Sequence, residues 1–122
     1  MYSQKSHNCT WDVGITLAMA DFDDELRIEL LGIWGEQSTV FIRDLRIHAE
    51  NNTQESILRL LHRLKGSLHI IGAGHSLQLV QSIEQALGQC PRLSQQDQIN
   101  ELANQLQILQ SEISQWLLAP PA

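Results

Sequence analysis

The sequence is poor in basic residues. Eight lysines and arginines stand against 14 aspartates and glutamates, and the net charge is −6 at pH 7. Proteins that bind nucleic acids or anionic membranes without specificity need a broad basic surface, so this balance argues against either as the main activity. Glycine and proline are also scarce, with 7 and 3 residues, whereas 43% of the residues are hydrophobic. That composition is typical of one packed globular domain and not of a disordered chain.

Cysteine occurs only twice, at Cys9 and Cys90, without the spacing of a metal site. The polar beginning MYSQKSHNCTWD does not resemble a signal peptide, so we expect two reduced thiols rather than a disulfide. No apolar run approaches the roughly 20 residues of a membrane-spanning helix. We therefore expect a cytoplasmic protein, or the cytoplasmic end of a longer one.

Strand-like alternation is missing, and a helical apolar period runs almost unbroken from about residue 12 to residue 118. The segment DVGITLAMAD predicts a short first helix across the end of a bundle. A long second helix follows, and either Asp21 or Asp23 can cap it. Its core-facing positions are predicted to be Leu26, Leu30, Ile33, Phe41 and Leu45, with Trp34 beside them.

The segment AENNTQES interrupts the period, and Thr53 is the expected N-cap of a third helix. That helix should end near IGAGHS, where Gly72 and Gly74 can adopt left-handed conformations. A fourth helix is expected from about Ser76 to Leu87. Its inward side chains are predicted to be Leu79, Ile83 and Leu87.

The last helix is expected to begin at a capping box formed by Ser94 and Asp97. Its apolar residues follow the 3,4,3,4,3 spacing of a bundle seam: Ile99, Leu102, Leu106, Leu109, Ile113 and Trp116. Four main helices with short connections predict an all-α fold, an up-down antiparallel four-helix bundle with a short additional N-terminal helix. We assign residues 11–118 to this bundle, residues 1–10 to a flexible N-terminal tail and residues 119–122 to a C-terminal tail.

The third helix contains the stretch LLHRLKGSLHIIG, residues 60–72, in which histidine and basic residues alternate with a helical apolar period. At about 100° per residue, one side collects six apolar residues and predicts the core face: Ile57, Leu60, Leu61, Leu64, Leu68 and Ile71. His62 lies roughly opposite and should face solvent. Its neighbours within about 60° are Glu55, Leu58, Arg59, Lys65, Gly66 and His69. Together with Arg63, the basic residues of this segment form a small cationic patch around a histidine.

Other interpretations of this helix are possible. Surface helices often carry histidine and lysine without any function, and such charge runs are usually just solvated. A metal site could use His62, His69 and His75, but arginine and lysine neighbours and the lack of a cysteine or carboxylate cluster disfavour it. Neither G-x-S-x-G nor H-E-x-x-H occurs, and no pair of acids lies on this face. A glycine-rich phosphate loop is missing too, so we expect no independent use of ATP.

Residues 60–87, LLHRLKGSLHIIGAGHSLQLVQSIEQAL, resemble the signature of histidine-containing phosphotransfer (HPt) domains. That pattern is a histidine, any residue, an aliphatic residue, Lys, Gly and a small residue, then a second glycine six positions after the first, and an aliphatic–Glu pair on the next helix. The matching residues are His62, Leu64, Lys65, Gly66, Ser67, Gly72, Ile83 and Glu84. The preceding DFDDELRIELLGIW resembles the long second helix of such domains, so the similarity covers most of the chain.

The resemblance implies a phosphocarrier without kinase activity of its own. His62 would accept a phosphoryl group and exchange it with the receiver-domain aspartate of a response regulator or hybrid sensor kinase. Lys65 would offset the phosphoryl charge, and Gly66 would leave room for the receiver. The implied partner contacts are Leu58, Arg59, Arg63, Gly66 and His69. Magnesium would belong to the receiver, so we expect no cofactor of this chain's own, and a monomer that binds no nucleic acid and does not insert into membranes.

The sequence departs from the family pattern at two positions. Small residues usually stand two and three positions after Gly66, whereas this chain has Leu68 and His69. We expect Leu68 to be ordinary core and Glu84 to be a surface acid, and His69 is either a contact that selects the partner or a plain surface residue. The alternative function is a helical adaptor that docks on a receiver or kinase without phosphorylation. Such an adaptor would have no use for an exposed His62 within this pattern.

Overall fold

The structure is a computed structural model that describes residues 11–51, 54–89 and 96–118. Within these ranges the chain forms five helices and no strand: α1 (Val13–Met19), α2 (Asp24–Asn51), α3 (Gln54–Ile70), α4 (Gly74–Gln89) and α5 (Gln96–Leu118). Helices α2 and α4 each pack on both α3 and α5, which closes a four-helix bundle, and α1 lies against α2 and α3. This confirms the predicted all-α bundle with a short additional helix. No helix in the described ranges is both long and apolar enough to cross a membrane.

Aspartates begin the first two helices. The Asp12 carboxylate accepts hydrogen bonds from the backbone N–H groups of Gly14 at 2.8 Å and Ile15 at 3.3 Å. At α2 the cap is Asp23, whose carboxylate accepts from the Leu26 N–H at 3.1 Å. Of the two capping aspartates that the sequence allowed, the structure therefore selects Asp23. A side-chain acceptor of this kind satisfies a backbone donor that the helix itself leaves unpaired.

The turn between α3 and α4 contains a glycine that the packing requires. Gly72 has a φ of +64°, as predicted, and a Cβ there would lie 2.8 Å from the Cβ of Asp12. The Asp12 N–H also donates to the Ile71 carbonyl at 3.0 Å, so the start of α1 is held against this turn. The predicted left-handed conformation of Gly74 was wrong, because this residue is the first of α4 and has no positive φ. Helix α4 extends two residues beyond each of its predicted ends.

The core follows the predicted apolar faces of α3 and α5. All six residues predicted for the core face of α3 are buried, the last of them, Ile71, just after the helix ends. The first five residues of the α5 seam are buried too, while Trp116 is half-buried at its end. In α4, Ile83 and Leu87 are buried as predicted, whereas Leu79 is half-buried and Val80 takes the fully buried position. The predicted caps Thr53 and Ser94, both cysteines, and the two predicted tails lie outside the described residues.

The prediction for α2 was partly wrong. Phe41, Leu45 and Trp34 are buried, but Leu26 and Ile33 are 38% and 44% exposed. Leu30 is only half-buried. The buried apolar positions that the sequence analysis missed are Leu31, Ile42 and Ala49, and the polar residues Arg27 and Ser38 are buried as well.

Polar contacts with α5 explain the rotation of α2. The side-chain amide nitrogen of Gln110 donates to the Gly35 carbonyl at 3.1 Å and to the Ser38 hydroxyl at 2.9 Å. About two helical turns further along α2, the Arg46 guanidinium donates a hydrogen bond to the Asn104 side-chain oxygen at 3.0 Å. These bonds turn the small and polar residues of α2 toward α5. One of its two apolar rows then faces the core and the other faces outward.

Candidate functional site

His62 lies at the middle of α3, eight residues from either end of the helix. The leucines around it fix the rotation of the helix, because Leu60, Leu61 and Leu64 are each no more than 3% exposed and face the core. His62 is therefore exposed on the opposite side, where it makes no hydrogen bond or ion pair with any described residue. An imidazole in this position presents its ring nitrogens to an approaching partner.

Gly66 leaves an open space one turn after His62. A Cβ built on this residue would have nothing within 4 Å, and its backbone is helical rather than left-handed. Neither packing nor backbone conformation therefore requires glycine here, although glycine costs about 1 kcal/mol relative to alanine inside a helix. The gap lies about 40° around the helix from His62, beside the imidazole.

Lys65 forms an ion pair with Glu84 that joins the site to α4. The distance between Lys65 Nζ and Glu84 Oε1 is 3.1 Å, and the two side chains are 30% and 24% exposed. Glu84, expected to be a surface acid, is thus a half-buried partner of the lysine. Lys65 follows His62 by three residues, a spacing at which the Cβ atoms of a helix are about 5–6 Å apart. The ammonium is held at the α4 edge of the histidine face.

Arg63 lies at the opposite edge, next to α2. Its guanidinium is 5.6 Å from the centre of the Phe41 ring, within the range of a cation–π contact. The two residues share a shallow groove of about 350 Å³ with Gln37, Val40 and Ser67. Basic side chains therefore flank the imidazole on both sides, one toward α2 and one toward α4.

The remaining predicted contact residues divide into two groups. Arg59 and His69 are exposed on the same side of α3 as His62. Leu58 is half-buried and packs against the core, so only part of its side chain faces solvent. The sequence analysis assigned no residue of α2 to this surface, yet Val40 and Gln37 line its groove. The spacing of seven residues between the exposed Ile33 and Val40 is the signal that could have identified this second side.

The described residues contain no group of three or more His, Cys, Asp or Glu side chains close enough to hold a metal ion. His75 is exposed near the start of α4, outside α3. The chemistry that the face itself offers is nucleophilic. A neutral imidazole nitrogen can attack an electrophile, and the flanking cations reduce the repulsion that an incoming anion would meet.

Comparisons with known proteins agree with this geometry. The model of the Hpt domain family matches residues 29–116, about seven tenths of the chain. A solved structure, the HPT domain from the Hpt sensor hybrid histidine kinase from Shewanella, has the same fold with a TM-score of 0.79. The two chains are 23% identical, and the match covers 93% of this chain and 97% of the other. No curated protein matches the chain.

Proposed function

Because the chain belongs to the Hpt domain family, whose function is histidine phosphotransfer, we propose that His62 is the residue that carries the phosphoryl group. The observation that supports this assignment is the exposed imidazole at the centre of α3, beside a glycine that the fold does not need. No other described histidine has a basic side chain on each side of it and an open glycine position one turn away.

The transfer begins with the aspartyl phosphate of a receiver domain. The unprotonated ring nitrogen of His62 attacks phosphorus in line with the bond to the aspartate oxygen. A nitrogen–phosphorus bond forms as that phosphorus–oxygen bond breaks, and the aspartate leaves as a free carboxylate. The other ring nitrogen keeps its proton, and the reverse reaction returns the phosphoryl group to an aspartate by the same steps.

Lys65 stabilises the transferred group at the edge of the face. Its ammonium has three donors, so it can keep the contact with Glu84 and still donate to a phosphoryl oxygen. Glu84 reduces the cost of holding this charge near the protein surface before the phosphoryl group arrives. Arg59 and Arg63 add positive potential on the other side, but their exposure to solvent weakens each contribution.

The partner that fits this chemistry is the receiver domain of a response regulator or of a hybrid sensor kinase. The receiver supplies the aspartate and the magnesium ion, and this chain supplies the nucleophile. We assign the contacts around the imidazole to Arg59, Gly66 and His69, with Arg63 and the exposed part of Leu58 at the margins. We place the exchange in the cytoplasm, where Hpt domains are typically found.

The test is to mix the purified chain with a phosphorylated receiver and to follow the label. We expect a phosphate on the chain that is labile in acid and stable in alkali, as a phosphohistidine is. His62→Gln should lose the label while its melting temperature stays nearly unchanged, since an exposed substitution seldom costs more than about 0.5 kcal/mol. His75→Gln is the matched control, because His75 is also exposed but lies on α4, and it should keep the label.

Two outcomes would contradict the proposal. Substantial label on the His62→Gln variant would move the phosphorylated residue elsewhere. Stable binding of the receiver without any label on the parent chain would identify the alternative, an adaptor that docks without phosphorylation. Magnesium and labelled ATP should give no label until a kinase or a phosphorylated receiver is added, because the sequence contains no phosphate-binding loop.

A further inference from the structure

Glu84 pairs with the lysine of the histidine face while His62 is unphosphorylated. Lys65 Nζ lies 3.1 Å from Glu84 Oε1, and neither side chain has another polar partner among the described residues. Arg59 and Arg63, in contrast, form no ion pair with a described residue. Because Glu84 lies on α4, a side chain outside the histidine's own helix determines where this ammonium lies.

The ion pair is only partly open to water. The Lys65 side chain is 30% exposed and the Glu84 side chain is 24% exposed. Solvent and salt therefore screen this contact less than they screen the charges of the exposed Arg59 and Arg63. The free energy of the contact stabilises the unphosphorylated chain, in which the carboxylate of Glu84 is the ammonium's only described anionic partner.

A phosphoryl group on His62 must share this ammonium with Glu84. A hydrogen bond from the Lys65 ammonium to a phosphoryl oxygen is about 3 Å long. Since Glu84 Oε1 lies 3.1 Å from the same nitrogen, the two anionic oxygens then lie within about 6 Å of each other. Like charges at this separation repel each other. If the ammonium leaves Glu84 instead, the ion pair is lost, so phosphorylation is opposed in either case.

We propose that Glu84 is a positioning residue that acts through Lys65, makes phosphorylation of His62 less favourable and so favours transfer from His62 to the receiver aspartate. This inference rests on the proposed function of His62 and adds a control on the direction of transfer. The nitrogen–phosphorus bond breaks as the phosphorus–oxygen bond to the aspartate forms. Lys65 and Glu84 keep their charges throughout, and no further reactant is needed.

The equilibrium distribution of phosphate between the chain and a receiver tests the role of Glu84. Phosphorylated receiver and purified chain are mixed at equal concentrations, and the label on each is measured once the ratio is constant. Glu84→Gln should raise the ratio of phosphorylated chain to phosphorylated receiver by about threefold. Glutamine keeps an oxygen that accepts a hydrogen bond from Lys65 and removes only the negative charge.

Glu55→Gln is the matched control. Glu55 is an exposed acid on α3, seven residues before His62 and on the same side of the helix, but it forms no ion pair with Lys65. The substitution removes the same charge about 10 Å from His62 along the helix. It should leave the ratio unchanged. Circular dichroism on the same samples establishes that both variants remain folded.

Phosphoramidate distinguishes a failure of this inference from a failure of the proposed function. This small donor transfers its phosphoryl group to an imidazole nitrogen and releases ammonia, so it needs no receiver. With phosphoramidate and ammonium in excess, the ratio of phosphorylated to unphosphorylated chain at equilibrium should again be about threefold higher for Glu84→Gln than for the parent. A failure of the proposed function is observed separately, as a parent chain that the phosphorylated receiver does not label.

Two results would overturn the proposal. The first is a Glu84→Gln ratio equal to or below that of the parent with either donor, which would mean that the carboxylate holds the lysine in place for the phosphoryl group and does not compete with it. The second is an equal rise in Glu55→Gln, which would attribute the effect to the net charge of the chain and not to the ion pair.

Discussion

α2 and α3 are neighbours in the bundle, but their outward sides differ in kind. The outward side of α3 carries His62, an open glycine position and basic residues. The outward side of α2 carries aliphatic residues at regular spacing. The first arrangement suits chemistry on a small anionic group, because it offers a nucleophile, positive charge and access. The second offers apolar surface and no nucleophile. The solvent sides of two helices in one bundle can thus differ in chemistry although both helices bury leucines on their core sides.

The largest expected difference separates the two apolar rows of α2. Leu31→Ala should lower the free energy of unfolding by about 2–5 kcal/mol, because Leu31 is fully buried. Leu26→Ala, on the same helix and with the same change in volume, should cost less than about 1 kcal/mol in dilute solution, because Leu26 is already 38% exposed. Urea denaturation of both variants gives the comparison. Equal losses would mean that Leu26 is part of the core.

At Gly66 on α3, a substitution should affect folding and phosphotransfer differently. Gly66→Gln should preserve or raise the melting temperature, since the position is open and glycine is a poor helix former. The same side chain would project beside His62 into the space that the receiver occupies. We expect phosphotransfer and receiver binding to fall at least tenfold, which corresponds to about 1.4 kcal/mol.

Gly88→Gln is the control for this substitution, because Gly88 is also helical with nothing within 4 Å of its Cβ position, but it lies on α4. It should leave transfer unchanged. A Gly66→Gln variant that unfolds would show that the glycine serves packing. A variant that transfers normally would show that the receiver binds elsewhere.

The smallest expected effects concern the ion pair at the α4 edge. Lys65→Ala should slow transfer several-fold, because a partly exposed charge-assisted contact contributes about 1 kcal/mol or somewhat more. Glu84→Gln should affect transfer less, since it keeps the lysine and removes only its partner. Neither should change the melting temperature by much, because partly exposed ion pairs contribute about 0–1 kcal/mol. A Lys65→Ala variant as inactive as His62→Gln would indicate that the lysine does more than offset charge.

The sequence predicted α3 and α5 well because each has a single apolar side. One helical period then determines which residues are buried, and the exposure of His62 follows from the burial of its leucine neighbours. α2 has two apolar rows, and nothing within its own sequence decides between them. The decision depends on contacts with α5, such as those of Gln110 with Gly35 and Ser38, which are 75 and 72 residues apart in the chain.

The candidate site shows the same limit. The residues that share one helix, His62, Gly66 and Arg59, could be placed together from helical geometry alone. The pairing of Lys65 with Glu84 could not, because the distance between two helices depends on how their buried sides pack. For the same reason, the groove that Val40 and Arg63 line lay beyond prediction from the sequence.

The contact between Trp11 and Trp116 gives the bundle a fluorescence signal for the attachment of α1. Trp11, just before α1, is only 6% exposed, and its ring meets that of Trp116 edge to face at a centroid distance of 6.0 Å. An indole that moves from a buried site into water changes its fluorescence, so in a Trp34→Phe variant, which removes the third tryptophan, the emission of this pair reports whether Trp11 is docked on the end of α5. His62 lies on a different helix and its side chain does not contact either ring. Tryptophan emission can therefore follow the closure of one end of the bundle while phosphate is followed on α3.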